Sequence, residues 1–440
     1  MLAALVACAV VAVAVPLAAA EPVSQIDGPA DVGAPAQRIS RSGDLVSVSQ
    51  SSAMSASIIA SAHSAAAAAG AQSVGSSGYS VGLTWVRRGD VVMQDAAAGP
   101  GLWQFPMGVS VLPVEALTAL MGSDVQTAVA NGMVAMSETA AAMRNGARAG
   151  DTIGLVAASG EIVTDTIGFV APDAYVGGTD IVMSPAMAAR LGVDEVTRVL
   201  IYGSFSRNAL DAALASRGLV DGTAVRVVRS WDARSPDSIL GSVRTKQLLG
   251  EFAYQLTATG VEIDPAWVAS RLPATRETYA SIGVRARCHV VIRNDLQAAL
   301  TEVYESGLAG AIDLGDTNVY GGCYNPRFNR LTGNLGFLSR HAWAQAIDMN
   351  PSTNAQGARP QMDCRIVRIF RKHGFAWGGN FLTPDGMHFE WVGEPRHTLQ
   401  YPSEYCPNVA TGGTQSLVEP PTQRDVMFAN DGWLPSDDHP

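Results

Sequence analysis

Two short stretches of this chain carry residue types able to hold a metal ion and to move a proton. The first, SRHAWAQAIDMN at Ser339–Asn350, sets His341 seven residues before Asp348. The second, TPDGMHFEWV at residues 383–392, sets Asp385 three residues before His388, with Glu390 two further on. Either one alone is weak, because a histidine and an aspartate seven apart are more often polar ends of a buried strand, and a lone D-x-x-H arises by chance. Together they are a different matter. Two histidines and one carboxylate are a sufficient protein set for catalytic zinc, leaving a fourth position for water. A further carboxylate outside that set is what a zinc hydrolase needs to take the proton from the water. His341, Asp348 and His388 supply the first set and Asp385 the second. Glu390 is a rival base, or a group that orients a ligand histidine.

The elements that must position these residues are short. The apolar run AQAIDMN favours a buried strand with Asp348 at its end and His341 in the turn before it. Pro384-Asp385-Gly386 is a turn signal, and MHFEWV is a β-favouring run. On a strand, His388 and Glu390 share one face while Met387 and Phe389 share the other. Upstream, RNDLQAALTEVYESGLAG reads as a helix that puts Leu296, Leu300 and Val303 on one face and ends at glycine. His373 suits the last turn of a helix before Gly374.

SRHAWAQAIDMN followed by GFAWGGNFLTPDGMHFEWV resembles the VanY-type D-alanyl-D-alanine carboxypeptidases, in a group of zinc peptidases that also includes L-alanyl-D-glutamate endopeptidases. The pattern is S-x-H, six residues, D, and later D-x-x-H followed by an aromatic and Glu, and the likeness runs roughly from Gly283 to Glu394. It implies Zn2+ held by His341, Asp348 and His388, with Asp385 as general base. It also implies an upstream arginine that binds substrate carbonyl or carboxylate: Arg327 in GGCYNPRFNR, with Arg330 as the alternative. A guanidinium there stabilises an oxyanion or grips a terminal carboxylate. Ser339 is a candidate for substrate contact or for holding the turn. Trp377 is a candidate substrate contact because it lies near the site in sequence, although a core position is the commoner place for such a residue. Two positions depart from the pattern: Ala344 stands where Gly is frequent, and Asn380 where Asp is frequent. An alanine matters there only if the backbone needs a positive φ.

Around this region the chain divides by composition. Residues 1–20 are uncharged and apolar and end in small residues, as a signal peptide or N-terminal anchor would. Residues 21–81 are Ser-, Ala- and Gly-rich and read as a low-complexity linker. Residues 82–228 hold short Val/Ile/Thr-rich runs between turns, interrupted by helical stretches around VQTAVANGMVAMSETAAAMRNG and SRNALDAALASRG. Residues 229–281 form a helical bridge, with SVRTKQLLGEFAYQL as an amphipathic helix and IDPAWVASRL opening another after a proline. Residues 282–407 form the peptidase-like domain and 408–440 a disordered tail. The expected fold class is α+β: a C-terminal domain with a small antiparallel sheet flanked by helices, preceded by a separate β-rich α+β domain.

Cysteine use agrees with export. Apart from Cys8, the chain has Cys288, Cys323, Cys364 and Cys406, an even number that suggests two disulfides in any of three pairings. The family resemblance implies Cys288–Cys323 together with Cys364–Cys406. A net charge of −10 without a Lys/Arg run argues against nucleic acid and against a polybasic membrane patch. Membrane association is expected only if the N-terminal apolar segment is retained, and oligomeric state is not legible. The expected function is a secreted or cell-envelope zinc metallopeptidase acting on peptidoglycan stem peptides, most simply as a D-alanyl-D-alanine carboxypeptidase. The alternatives are an L-alanyl-D-glutamate-type endopeptidase and a zinc-containing, non-catalytic cell-wall binding protein on the same scaffold. The role of residues 82–228 stays open.

Overall fold

A computed structural model describes residues 43–50, 53–97, 99–222, 224–279, 281–314, 322–331 and 336–410. The leader at 1–20, the first part of the expected linker and most of the expected tail lie outside them. The described residues all belong to one unit beginning at Gly43. None of their helices is long and apolar enough to cross a membrane.

The N-terminal half is built on ten strands: β1 (Asp44–Ser49), β2 (Gln72–Arg88), β3 (Val91–Asp95), β4 (Phe105–Val111), β5 (Val134–Ser137), β6 (Thr152–Val156), β7 (Ile162–Ala171), β8 (Ile181–Met183), β9 (Arg198–Gly203) and β10 (Arg226–Arg229). Nine of them run in the order β10-β1-β9-β2-β4-β8-β5-β7-β6, β3 pairs with β2 off this path, and β6 pairs back onto β2. Six strands therefore close into a barrel, with β4–β8 and β5–β7 parallel. The 17-residue β2 makes this possible: residues 72–76 pair with β9, 77–83 with β4 and 82–87 with β6. Gly82 lies where one strand gives way to the next, and a Cβ there would run into the Gln104 side chain. Closure leaves those six strands few open edges, and their inward residues Leu83, Met107, Val109, Ile153, Leu155 and Ile181 are fully buried.

Two sequence expectations need correcting here. Residues 43–81 are not a linker throughout: β1, the helix α1 (Ala56–Ala68) and the start of β2 lie in them. Their small residues are packing residues, for Ala62, Ala65 and Ala66 are fully buried against Val199 and Ile201. The stretch read as one helix at residues 125–146 is instead α3 (Ser123–Ala130), buried strand β5 and α4 (Glu138–Met143), once α2 (Val114–Met121) has preceded them. Gly132, at φ +72°, ends α3, and the buried VAMS run then joins the barrel. Helices α5 (Asp173–Val176), α6 (Pro185–Arg190) and α7 (Arg207–Ala215) complete this half, α7 where SRNALDAALASRG is helical as expected.

The bridge begins with α8 (Ser242–Leu249), which stops at Gly250 (φ +86°), so the expected helix is shorter than its pattern. Tyr254 enters a hairpin of β11 (Tyr254–Thr257) and β12 (Gly260–Ile263). The helix α9 (Pro265–Arg271) follows, capped by Asp264 with proline at its first turn. After the β13 (Glu277–Tyr279) and β14 (Val284–Ala286) hairpin comes α10 (Arg293–Glu305), which buries Leu296, Leu300 and Val303 as its period requires. The last elements are β15 (Ala346–Asp348), α11 (Cys364–Lys372), β16 (Phe375–Trp377) and β17 (His388–Trp391), the strands forming the antiparallel sheet β15-β17-β16. The small antiparallel sheet and its flanking helices are as expected; the barrel was not foreseen. One continuous core runs from Leu249 and Phe252 through Trp267 and α10 to Phe370, Phe389 and Cys406.

Candidate active site

The register of β15 on β17 sets Asp348 opposite His388 and Ala346 opposite Glu390. Strand alternation sends Phe389 into the core against Phe370, 4.5 Å between ring centroids, and His388 with Glu390 to the other face. His341 arrives from a 3-10 turn, Arg340–Trp343, capped by Ser339, whose hydroxyl accepts from the His341 N–H at 3.4 Å. Ala344 ends that turn at φ +55°, so the position does require the left-handed backbone that a methyl group disfavours.

The three side chains meet. His341 Nε2 lies 3.2 Å from Asp348 Oδ1, and His388 Nδ1 lies 3.1 Å from the same oxygen. One ligand atom from each residue falls within 4.8 Å of the others. The remaining ring nitrogens are engaged elsewhere. His341 Nδ1 faces the Cys323 carbonyl at 3.2 Å, an acceptor that fixes the ring's orientation and turns Nε2 toward Asp348. His388 Nε2 faces Glu390 Oε2 at 3.5 Å. Glu390 is itself fixed by Gln345 at 2.9 Å and Arg340 at 3.3 Å, and it is 1% exposed. That places it beside the ring nitrogen of His388 that faces away from Asp348, where an orienting carboxylate would stand. Disulfides join Cys288 to Cys323 and Cys364 to Cys406. The first anchors the carbonyl on which His341 rests.

Asp385 hangs from the turn after β16. Its N–H donates to the Gly378 carbonyl at 2.8 Å, and the Trp377 indole N–H donates to the Gly386 carbonyl at 2.9 Å. Its Oδ2 accepts from Gln356 at 3.3 Å, while its buried Oδ1 has no hydrogen-bond partner among the described residues. Burial lifts the Asp385 carboxyl above its ordinary range and the Asp348 charge adds to that, against the pull of His388, His341 and Arg327. Arg327 enters the same cleft from a short ribbon in which Ser339 N–H donates to the Arg327 carbonyl at 2.9 Å and Phe328 bridges Leu338. Burial lowers its guanidinium pKa, opposed by the charges of Asp348 and Asp385, and its Nε is likewise buried without a partner. Arg330 lines the rim of the cleft and is exposed. Trp377 does not line it. At 1% exposure it is a core residue that holds the Gly386 carbonyl, which corrects its reading as a substrate contact.

The charge pattern fits a divalent cation. Burial alone would raise Asp348, yet the two imidazoles hold it well below the usual carboxylate range. Burial opposes a charge on His388, but hydrogen bonds to Asp348 and Glu390 push it up to about 10. Two imidazoles and a carboxylate converging on one point are a three-ligand set for zinc, and the unpartnered Asp385 oxygen sits in the same cleft. Sequence reasoning missed Arg340, Gln345 and Gln356. Nothing in their spacing separates them from ordinary neighbours of His341 and Asp348, because their roles come from contacts that only the fold creates.

A comparison with curated proteins finds no match to this chain. Residues 332–391, which carry His341, Asp348, Asp385 and His388, match the family model described as D-alanyl-D-alanine carboxypeptidase. The match spans this C-terminal segment alone, and it is this segment that is similar to the D-alanyl-D-alanine carboxypeptidase family.

Proposed function

We propose that the chain is a secreted or envelope-associated zinc metallopeptidase that hydrolyses peptidoglycan stem peptides, as a D-alanyl-D-alanine carboxypeptidase. One observation carries this reading: a buried Asp385 carboxylate oxygen, without a partner among the described residues, shares a cleft with the His341–Asp348–His388 set and with Arg327. A zinc ion held by those three side chains would polarise the scissile carbonyl and acidify a water. Asp385 takes the proton as the water oxygen bonds to the carbonyl carbon, and returns it to the amine as the C–N bond breaks. A carboxyl already lifted by burial suits a group that must hold a proton between those steps. Arg327 faces the carbonyl oxygen or a terminal carboxylate and stabilises the negative charge there. Ser339 keeps the ribbon of Arg327 and the turn of His341 in register. Two disulfides support a site of action outside a reducing compartment.

The test is mass analysis of muropeptides ending in D-Ala-D-Ala after incubation with the full chain. A product short of one alanine is the expected outcome. A cut inside the stem would assign the endopeptidase activity instead. Bound zinc with no cleavage of muropeptides or sacculi would leave a binding protein.

A further inference from the structure

The turn that carries Asp385 is held by a residue far outside the family match. Asp237, in the segment between the barrel and α8, is 3% exposed and accepts four hydrogen bonds from the peptidase fold. Arg371 on α11 gives two, at 2.8 and 2.6 Å. The Trp377 N–H gives one at 3.1 Å, and the Asn380 amide gives one at 2.6 Å. Asn380 is saturated in turn: its carbonyl oxygen accepts from Tyr405 N–H at 2.7 Å, and its backbone carbonyl accepts from Arg226 of β10 at 3.0 Å. Trp377 and Asn380 bracket the 3-10 turn Gly378–Asn380, and it is the Gly378 carbonyl that holds the Asp385 N–H. The fit there is close, for a Cβ on Gly378 would stand 2.6 Å from the Asp385 carbonyl and 3.1 Å from the His388 Cβ. A shift of that turn therefore moves Asp385 relative to His388.

We propose that Asp237 is a positioning residue for the catalytic turn: it fixes residues 377–380 from outside the peptidase fold, and Asn380 is the amide its carboxylate requires. An aspartate at 380 would put two carboxylates at hydrogen-bond distance with no proton between them. An asparagine at 237 would turn an amide toward the donors of Asn380 and Arg371. The inference rests on the peptidase reading for its effect on rate, but not for its effect on the turn.

The experiment compares the full-length protein with Asp237→Asn, Asn380→Asp and the double variant, each loaded with zinc. Three quantities are read: kcat and KM on a muropeptide ending in D-Ala-D-Ala, zinc stoichiometry, and hydrogen exchange at the Asp385 amide. Each single variant is expected to lose tenfold or more in kcat with KM within twofold and zinc still bound. Exchange at the Asp385 amide speeds at least tenfold while amides of α10 and the barrel stay as they were, and the double variant loses less than the product of the two singles. Unchanged exchange at Asp385 in all three variants overturns the proposal, and so does a lowered melting temperature with wild-type kcat in the folded protein. If the wild type cleaves nothing, the peptidase reading fails alone, and the exchange measurement still decides whether Asp237 holds the turn.

Discussion

At the scale of single residues, the centre is a set of charges that hold one another in place. With His388 pushed up to about 10, the metal-free protein carries an imidazolium there at neutral pH. A metal ion needs the Nδ1 lone pair and must displace that proton. Zinc binding is therefore expected to release about one proton at pH 8, and apparent affinity should rise about tenfold per pH unit toward pH 10. Calorimetry in two buffers of different ionisation heat measures it, and a heat independent of buffer would contradict it. Glu390→Gln tests the orienting role of that carboxylate, since the group behind a ligand histidine is worth about 10–100-fold in metal affinity. Zinc titration should show a loss in that range; a fully retained affinity with lost activity would return Glu390 to the role of base. The candidate ligands and the candidate base were legible because two histidines and two aspartates stood in motif order, whereas the contacts of Glu390 with Arg340 and Gln345 arise only from the fold.

At the scale of elements, pattern and structure agree where one period rules a whole segment. In α10 the period of Leu296, Leu300 and Val303 matches the buried face, and in β17 the alternation of His388, Phe389 and Glu390 matches the two faces. They part where a glycine cuts an apolar run, as Gly132 does before β5 and Gly250 does after α8. Short buried runs fit helix and strand equally, and only the barrel decides between them. His289 joins two such elements: its Nε2 lies 2.9 Å from the Leu249 carbonyl and its Nδ1 accepts from Val291 N–H at 3.2 Å. Burial lowers its pKa to about 4. The unfolded imidazole takes its proton below about 6.5 and the folded one refuses it until about 4, so stability falls as pH falls through that window. The loss approaches about 3 kcal/mol by pH 4. Urea midpoints from pH 7 to 4 should drop in the wild type and drop less in His289→Gln, and equal slopes would contradict the assignment.

At the scale of the whole molecule, composition suggested separate domains, and the contacts join them. The core of the C-terminal fold includes Leu249, Phe252, Trp267 and Leu272 from the bridge. Phe252 packs on Trp343 with ring centroids 4.6 Å apart, one residue from the turn's end. Arg340 donates to Thr245 at 3.0 Å and to the Leu240 carbonyl. Arg234 pairs with Glu394 at 2.9 Å. A fragment of residues 282–407 lacks all of these partners, and truncating even one large core aromatic costs about 3–5 kcal/mol. That fragment is expected to lack a cooperative melt, which thermal unfolding followed by near-ultraviolet circular dichroism would show. A sharp transition would mean that the bridge only decorates the domain. These ties were illegible in sequence because each joins residues some ninety or more positions apart, through side chains whose spacing follows no local period.

The central claim is that His341, Asp348 and His388 hold the metal while Asp385 moves the proton. Zinc content and turnover of the full-length wild type, His341→Ala and Asp385→Asn, measured side by side, test it most directly. About one zinc per chain is expected in the wild type and in Asp385→Asn, with turnover in the latter lower by about 10²–10⁴-fold. His341→Ala should lose both. An Asp385→Asn protein that keeps wild-type turnover, or a His341→Ala protein that keeps its zinc, would contradict the account.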